Sequence, residues 1–225
     1  MTGTLMNMAT VIAGTILGMA LKRRMPERMS GAVMQGLALF TSFMGLKMAF
    51  GTEKMLAMLF SMVLGTVVGT ALDIEGRLER GAVRLEARFA KEGSGLAAGF
   101  LAASLLYCVG PMSIIGSIED GLTGNYSILL TKALMDGVSS IVFGATMGIG
   151  VALSAVTILA YQGGISLAAA SVKALVTDAA MVEMTAVGGL LIVGIGINML
   201  GLKKIRVADM LPAIVFAAVL AQIIP

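Results

Sequence analysis

Apolar residues run along this chain in long blocks, at about 4–21, 31–50, 55–73, 96–118, 128–160, 165–181, 184–202 and 207–224, and the charged residues gather between them. An α-helix rises about 1.5 Å per residue, so roughly 20 apolar residues cross a hydrocarbon core of about 30 Å. The pattern predicts an all-α, polytopic transmembrane helical bundle of seven or eight spans. The run 128–160 would be about 50 Å long as one helix. It is expected to tilt, protrude or break, with Gly148-Ile149-Gly150 as the weak point. The run 165–181 carries Lys173 and Asp178 and is the least apolar, so it fits an interfacial segment as well as a span.

One extended polar segment interrupts the pattern. Over 74–92, Ile74, Leu78, Ala82, Leu85 and Phe89 recur every three or four positions among arginines and glutamates, which predicts an amphipathic helix. Its basic face suits the surface of an anionic membrane, and a solvated connecting helix is the plainer reading. Basic residues also cluster at Lys22, Arg23, Arg24 and Arg28 and at Lys203, Lys204 and Arg206. Placing all three clusters in the cytoplasm requires eight crossings and puts both termini outside. Because the first basic cluster follows the first apolar run, that run reads as a retained span and not a cleaved signal.

Two internal matches stand out. Met44-Gly45-Leu46-Lys47-Met48 aligns with Ile195-Gly196-Ile197-Asn198-Met199, each followed by a polar turn and a last apolar run. By the charge-derived orientation these pairs run in opposite directions, the arrangement of an inverted-topology repeat with broken helices. The chain would then be a single integral membrane domain, 1–225, with halves 1–73 and 165–225 around a central hairpin, 96–160. A rival match sets Leu5-Met6-Asn7 against Leu134-Met135-Asp136 and joins two spans of the same orientation.

Composition supports the membrane reading. Hydrophobic residues make up 58% of the chain and charged residues 13%, for a mean hydropathy of +0.97 that no ordinary soluble domain reaches. The chain has no histidine and one cysteine, Cys108, which rules out an intramolecular disulfide and removes the commonest general base and metal ligand. No Walker A loop, HExxH helix, calcium loop or GxSxG elbow is present. An enzyme is therefore not expected, no cofactor is called for, and a net charge of +3 needs no nucleic acid to explain it. The 29 glycines let helices approach closely, which also makes a homo-oligomer an expected partner state.

Polar groups at membrane depth are the candidate chemistry, since an ionisable side chain costs about 2.5–3.5 kcal/mol at a span's centre. Lys132 and Asp136 stand four apart on one helix face. Either Asp136 is a cation or proton site with Lys132 as a displaceable counterion, or the two neutralise each other near the outer interface. Asn7 either meets an ion or bonds across a helix contact. Thr41 and Ser42 could line a polar path or bond their own preceding carbonyls. Asn198 occupies the position matching Lys47, and Gly110-Pro111 should break the fourth run. Glu183 and Glu119-Asp120 read most cheaply as solvated.

Several segments together resemble one family: Leu5-Met6-Asn7, Met25-Pro26-Glu27-Arg28, the stretch Gly121-Leu122-Thr123-Gly124-Asn125-Tyr126-Ser127-Ile128-Leu129 with Lys132 and Asp136, Ala186-Val187-Gly188-Gly189-Leu190, and Met210-Leu211-Pro212-Ala213. They are similar to the bacterial multipass proteins grouped as domain of unknown function 554. The resemblance covers essentially the whole chain and implies a bacterial inner-membrane location and an all-helical fold; it brings no substrate with it. The expectation is a transporter or channel for a small ion or solute in the lipid bilayer, with Asp136, Lys132, Asn7, Thr41, Ser42 and Asn198 on the path. The alternative is a non-transporting protein that binds a partner or anionic lipid through 74–92.

Overall fold

The computed structural model describes residues 1–22, 27–78, 80, 96–108, 111–171 and 177–224, and among these the secondary structure is entirely helical. In chain order the helices are α1 (Thr2–Lys22), α2 (Glu27–Ala49), α3 (Met55–Ala71), α4 (Leu96–Cys108), α5 (Pro111–Thr123) and α6 (Ser127–Met147). They continue with α7 (Gly150–Leu167), α8 (Asp178–Met199), a 3₁₀ turn (Val207–Met210) and α9 (Pro212–Ile223). Five are long and apolar enough to cross a membrane: α1, α2 from Gly31, α6, α7 and α8. The α4–α5 pair passes the same test jointly but is bent by 64°, and α3 and the segment Val207–Ile223 are shorter apolar helices.

The long fifth run does break at its glycines. Gly148 adopts φ 78°, a conformation that costs glycine least, and its N–H closes α6 on the Gly144 carbonyl. The run 165–181, by contrast, is not one segment. Its first residues finish α7 at Leu167, and Asp178 opens α8, where the Thr177 hydroxyl accepts the Ala180 N–H and the acidic first turn suits the helix dipole. Lys173 lies outside the described residues, as does most of the expected amphipathic helix, of which only 74–78 and 80 are described.

The chain gathers into two compact units interleaved in sequence, Met1–Ala32 with Ala82–Leu175, and Val33–Gly81 with Val176–Pro225. Their boundaries cut across the segments 1–73 and 165–225 marked out above and leave 96–160 whole within the first unit.

In the first unit, α1 and α6 run parallel in close contact. The buried face of α1 is Gly3, Thr4, Asn7, Val11, Gly14, Thr15 and Gly18, small or polar but for Val11, while Ile12, Ile16 and Leu17 face outward. Lipid offers apolar side chains no reason to turn inward, so small residues take the contacts and backbones approach. Gly14 lies against the Gly137 carbonyl, Gly18 against the Ile141 carbonyl, and Gly144 against that of Thr15 (2.6 Å from its would-be Cβ).

In the second unit, α2 crosses α8 antiparallel. Gly45 and Gly189 each face the other's carbonyl, at 2.6 and 2.5 Å from the would-be Cβ positions, and Gly196 faces the Ala38 carbonyl at 3.0 Å. Alongside, α3 turns Ala57, Ser61, Gly65 and Gly69 inward, and α9 turns Ala213, Ala217 and Ala221. Spacing of four on both helices makes a flat small-residue seam, in which Gly65 meets Ala213.

Candidate functional site

Asp136 lies close to the middle of α6 with 6% of its surface exposed, and Lys132 one turn earlier with 7%. The ammonium reaches both carboxylate oxygens, 3.0 Å to Oδ1 and 2.8 Å to Oδ2. From α1, Asn7 Nδ2 donates to Asp136 Oδ2 at 2.9 Å and to Gln162 Oε1 at 3.4 Å. Asn7 and Gln162 are both fully buried. Gln162 sits in a π-helical turn, Leu159–Gly163, inside α7. Such turns carry one residue more than α-helical geometry holds, and they recur at functional sites. Three helices of one unit thus bring four polar side chains together.

The polar network continues along α6. Ser140 Oγ donates to the Asp136 carbonyl at 2.7 Å, and Ser140 Oγ and the buried Tyr107 hydroxyl of α4 are 2.8 Å apart. What distinguishes the site from a saturated structural network is unused capacity. Only the amide NH₂ of Asn7 can face a carboxylate, so its Oδ1 points elsewhere, and that oxygen finds no partner. Gln162 Nε2, Thr4 Oγ1 and Ser117 Oγ are likewise buried without hydrogen bonds. A buried polar atom left unpaired costs about 1–3 kcal/mol; these four belong to the first unit, and Asp209 Oδ2 in the second, also without a hydrogen bond, lies 2.9 Å from Arg206 Nε in an ion pair.

Of the sequence candidates, the structure brings together Asn7, Lys132 and Asp136. Thr41 is buried in α2, and Ser42 donates to the Ala38 carbonyl at 2.8 Å, the self-bonding alternative. Asn198 holds a loop: its Nδ2 donates to the Ile205 carbonyl at 2.8 Å and its Oδ1 accepts the Ile205 N–H at 2.7 Å. Both amide ends are used on one residue's backbone, which is loop fastening. Pro111 opens α5, where its missing N–H costs nothing, and Gly110 lies outside the described residues.

Gln162 is the member that sequence reasoning missed. A lone amide beyond the end of a 33-residue apolar run was the available signal. Two carboxylates read as solvated are in fact buried. Asp120, 4% exposed, accepts the Gly3 N–H at 3.1 Å and lies 2.9 Å from the Met1 amine. Glu183, 1% exposed, accepts from Thr52 Oγ1 (2.6 Å), Glu53 N (2.8 Å) and Lys54 N (2.9 Å), so it caps the entry to α3 from a neighbouring helix. Lys54 Nζ completes that end by donating to the Ala221 and Ile224 carbonyls at 2.9 and 2.8 Å.

The other end of the second unit is tied by exposed and buried charges. Glu75 N donates to Asp209 Oδ1 at 2.8 Å, and Ala208 N donates to Glu75 Oε2 at 3.2 Å. Asp73 follows α3 and accepts from Arg206 at 2.7 Å and Arg80 at 2.9 Å, and these guanidiniums, Arg206 first, hold its carboxyl below the ordinary carboxylate range. A carboxyl lowered on folding adds stability above its unfolded pKa of about 3.9, and that stability fades as pH falls through the folded value. Asp73 has φ 47°, which asparagine also tolerates, so Asp73→Asn isolates the charge. The melting temperature of Asp73→Asn should fall below that of the parent at pH 7, and the two should converge as pH falls through the lowered folded value. Parallel curves would remove the ion pairs from the stability of this end.

Comparison with known proteins finds relatives along the whole chain, one of them described as a membrane protein. Over 228 residues the chain is 31% identical to a protein of Bacillus subtilis (strain 168) described as "Uncharacterized membrane protein YdfK", covering 100% of this chain and 97% of the relative. It is 28% identical over 220 residues to "Uncharacterized protein YqgA" of Escherichia coli (strain K12), covering 96% and 94%. No solved structure matches. The family model described as "Protein of unknown function (DUF554)" matches residues 2–222, and the chain belongs to that family.

Proposed function

We propose that this chain is a transport protein of the bacterial cytoplasmic membrane, passing a small ion or solute through its first unit by way of Asp136, Lys132, Asn7 and Gln162. The observation that carries the reading is the unfilled hydrogen-bonding capacity of Asn7 Oδ1 and Gln162 Nε2 beside a charged pair near the middle of a membrane-length helix. Transporters set their sites at that depth, among interrupted helices. A purely structural ion pair does not need two more buried amides with open valences.

Each of the two rival internal matches has a counterpart in the helix contacts. The pairing of Gly45 with Gly196 also pairs Ala38 with Gly189, so it maps the Gly45–Gly189 contact onto the Gly196–Ala38 contact. The pairing of Asn7 with Asp136 joins two helices that pack parallel and bond at those residues. Repeats of both kinds occur in transporters.

The test is flux of Na⁺, K⁺, H⁺ and small anions into liposomes carrying the purified protein. Asp136→Asn should lower flux at least about tenfold, a loss of roughly 1.4 kcal/mol of stabilisation, while the variant still elutes as folded protein. Undiminished flux through the variant, or no flux of any tested solute through folded parent protein, would sink the proposal.

A further inference from the structure

Resting on that reading, we infer that the site takes a monovalent metal cation and that Lys132 is its built-in competitor. The acceptors that could meet a ligand are oxygens, the Asp136 carboxylate, Asn7 Oδ1, Gln162 Oε1 and Thr4 Oγ1, the last one turn from Asn7 on the same face of α1, while Gln162 Nε2 is an unpaired donor that must turn away for its Oε1 to serve. An all-oxygen set suits a hard cation. Charge then selects its valence. The cluster contains one carboxylate and one ammonium, so a monovalent ion that replaces the ammonium leaves the buried charge balanced. A divalent ion would leave a surplus positive charge in a low-dielectric setting, and an anion would face Asp136.

Lys132 has somewhere to go. It is the sixth residue of α6, about 7.5 Å along the axis from the helix start, and its four-carbon stem can carry the ammonium toward that end. Tyr126 and Ser127, at that end, are exposed. When the ammonium leaves, Asn7 keeps its bond to Asp136 and presents Oδ1. The Gln162 amide is held by a long 3.4 Å contact from Asn7 to its Oε1, and its Nε2 is unpaired, so little resists its turning an oxygen toward the ion. The cation and the lysine thus occupy the carboxylate in alternation, and cation binding is weakened by the fraction of time the lysine is bound.

The experiment compares protein in nanodiscs in NaCl, KCl and choline chloride at equal ionic strength, reading thermal unfolding and binding of radioactive sodium. Sodium or potassium should stabilise the parent, since a ligand of the folded state raises its stability. Lys132→Gln should unfold earlier than the parent in choline, recover in the metal salt, and bind the ion about tenfold more tightly because the competitor is gone. Asn7→Ala, which leaves the ion pair in place, should bind about tenfold less tightly. Folded Lys132→Gln that binds no more tightly than the parent, or Asn7→Ala with unaltered binding, overturns the inference. Asp136-dependent flux of another solute without alkali-cation binding would overturn the cation and keep the transport reading. Lysine-competed binding without flux would do the reverse.

Discussion

Gly18→Val should leave less than about a tenth of the parent's monodisperse protein after detergent extraction, whereas Gly36→Val should leave the yield nearly unchanged. A Cβ at Gly18 would run into the Ile141 carbonyl and lie 2.8 Å from the Ala145 N, backbone on both counts, so no rotamer relieves it. The helices would have to part. Overpacking of a rigid contact costs about 1–3 kcal/mol or more, and 1.4 kcal/mol already changes a folding equilibrium tenfold. Gly36 has nothing within 4 Å of its would-be Cβ. Valine there adds apolar surface where the helix is open. Equal yields from the two variants would refute the α1–α6 contact.

Glu183→Ala should be the most damaging single truncation of the second unit. The carboxylate satisfies three donors at 2.6–2.9 Å; its loss orphans the Thr52 hydroxyl and the Glu53 N–H and leaves the Lys54 N–H only a 3.3 Å bond to Thr52 Oγ1. Buried donors left without partners cost about 1–3 kcal/mol each; since this rim is only partly buried, a total of about 3 kcal/mol is expected. In a chain of this size that lowers the melting temperature by roughly 6–12 °C. Glu183→Gln keeps one acceptor oxygen and should melt between the two. If Glu183→Ala melted with the parent in a differential scanning experiment, water would be supplying those donors and the cap would be incidental.

Local features were legible from the amino-acid order. Gly148 broke the fifth run because a positive φ is cheap only for glycine, and Lys132 and Asp136 met because four residues make one turn. Pairings between distant helices were not. Nothing in the neighbourhood of Glu183 announces that its three donors lie some 130 residues earlier, and Asp120 looked like an exposed turn for the same reason. Gln162 was passed over because hydropathy averages over a window and one amide barely lowers the mean. Asn7, Lys132 and Asp136 were legible as polar groups at membrane depth, whereas the rival alignment of Asn7 with Asp136 linked their helices as a resemblance and not as a contact.

The interleaving of the two units sets a timetable for their birth. Asn7 enters the membrane 129 residues before Asp136, its hydrogen-bond acceptor. At about 5–20 residues per second, a ribosome needs roughly 6–26 s to cover that distance. Through that interval α1 waits with an unanswered amide among lipids or translocon walls, and α2 and α3 wait longer still for α8 and α9. Each half of this protein is thus begun early and finished late. The cell must shelter the unfinished helices from proteases and from one another until the second member of each pair arrives.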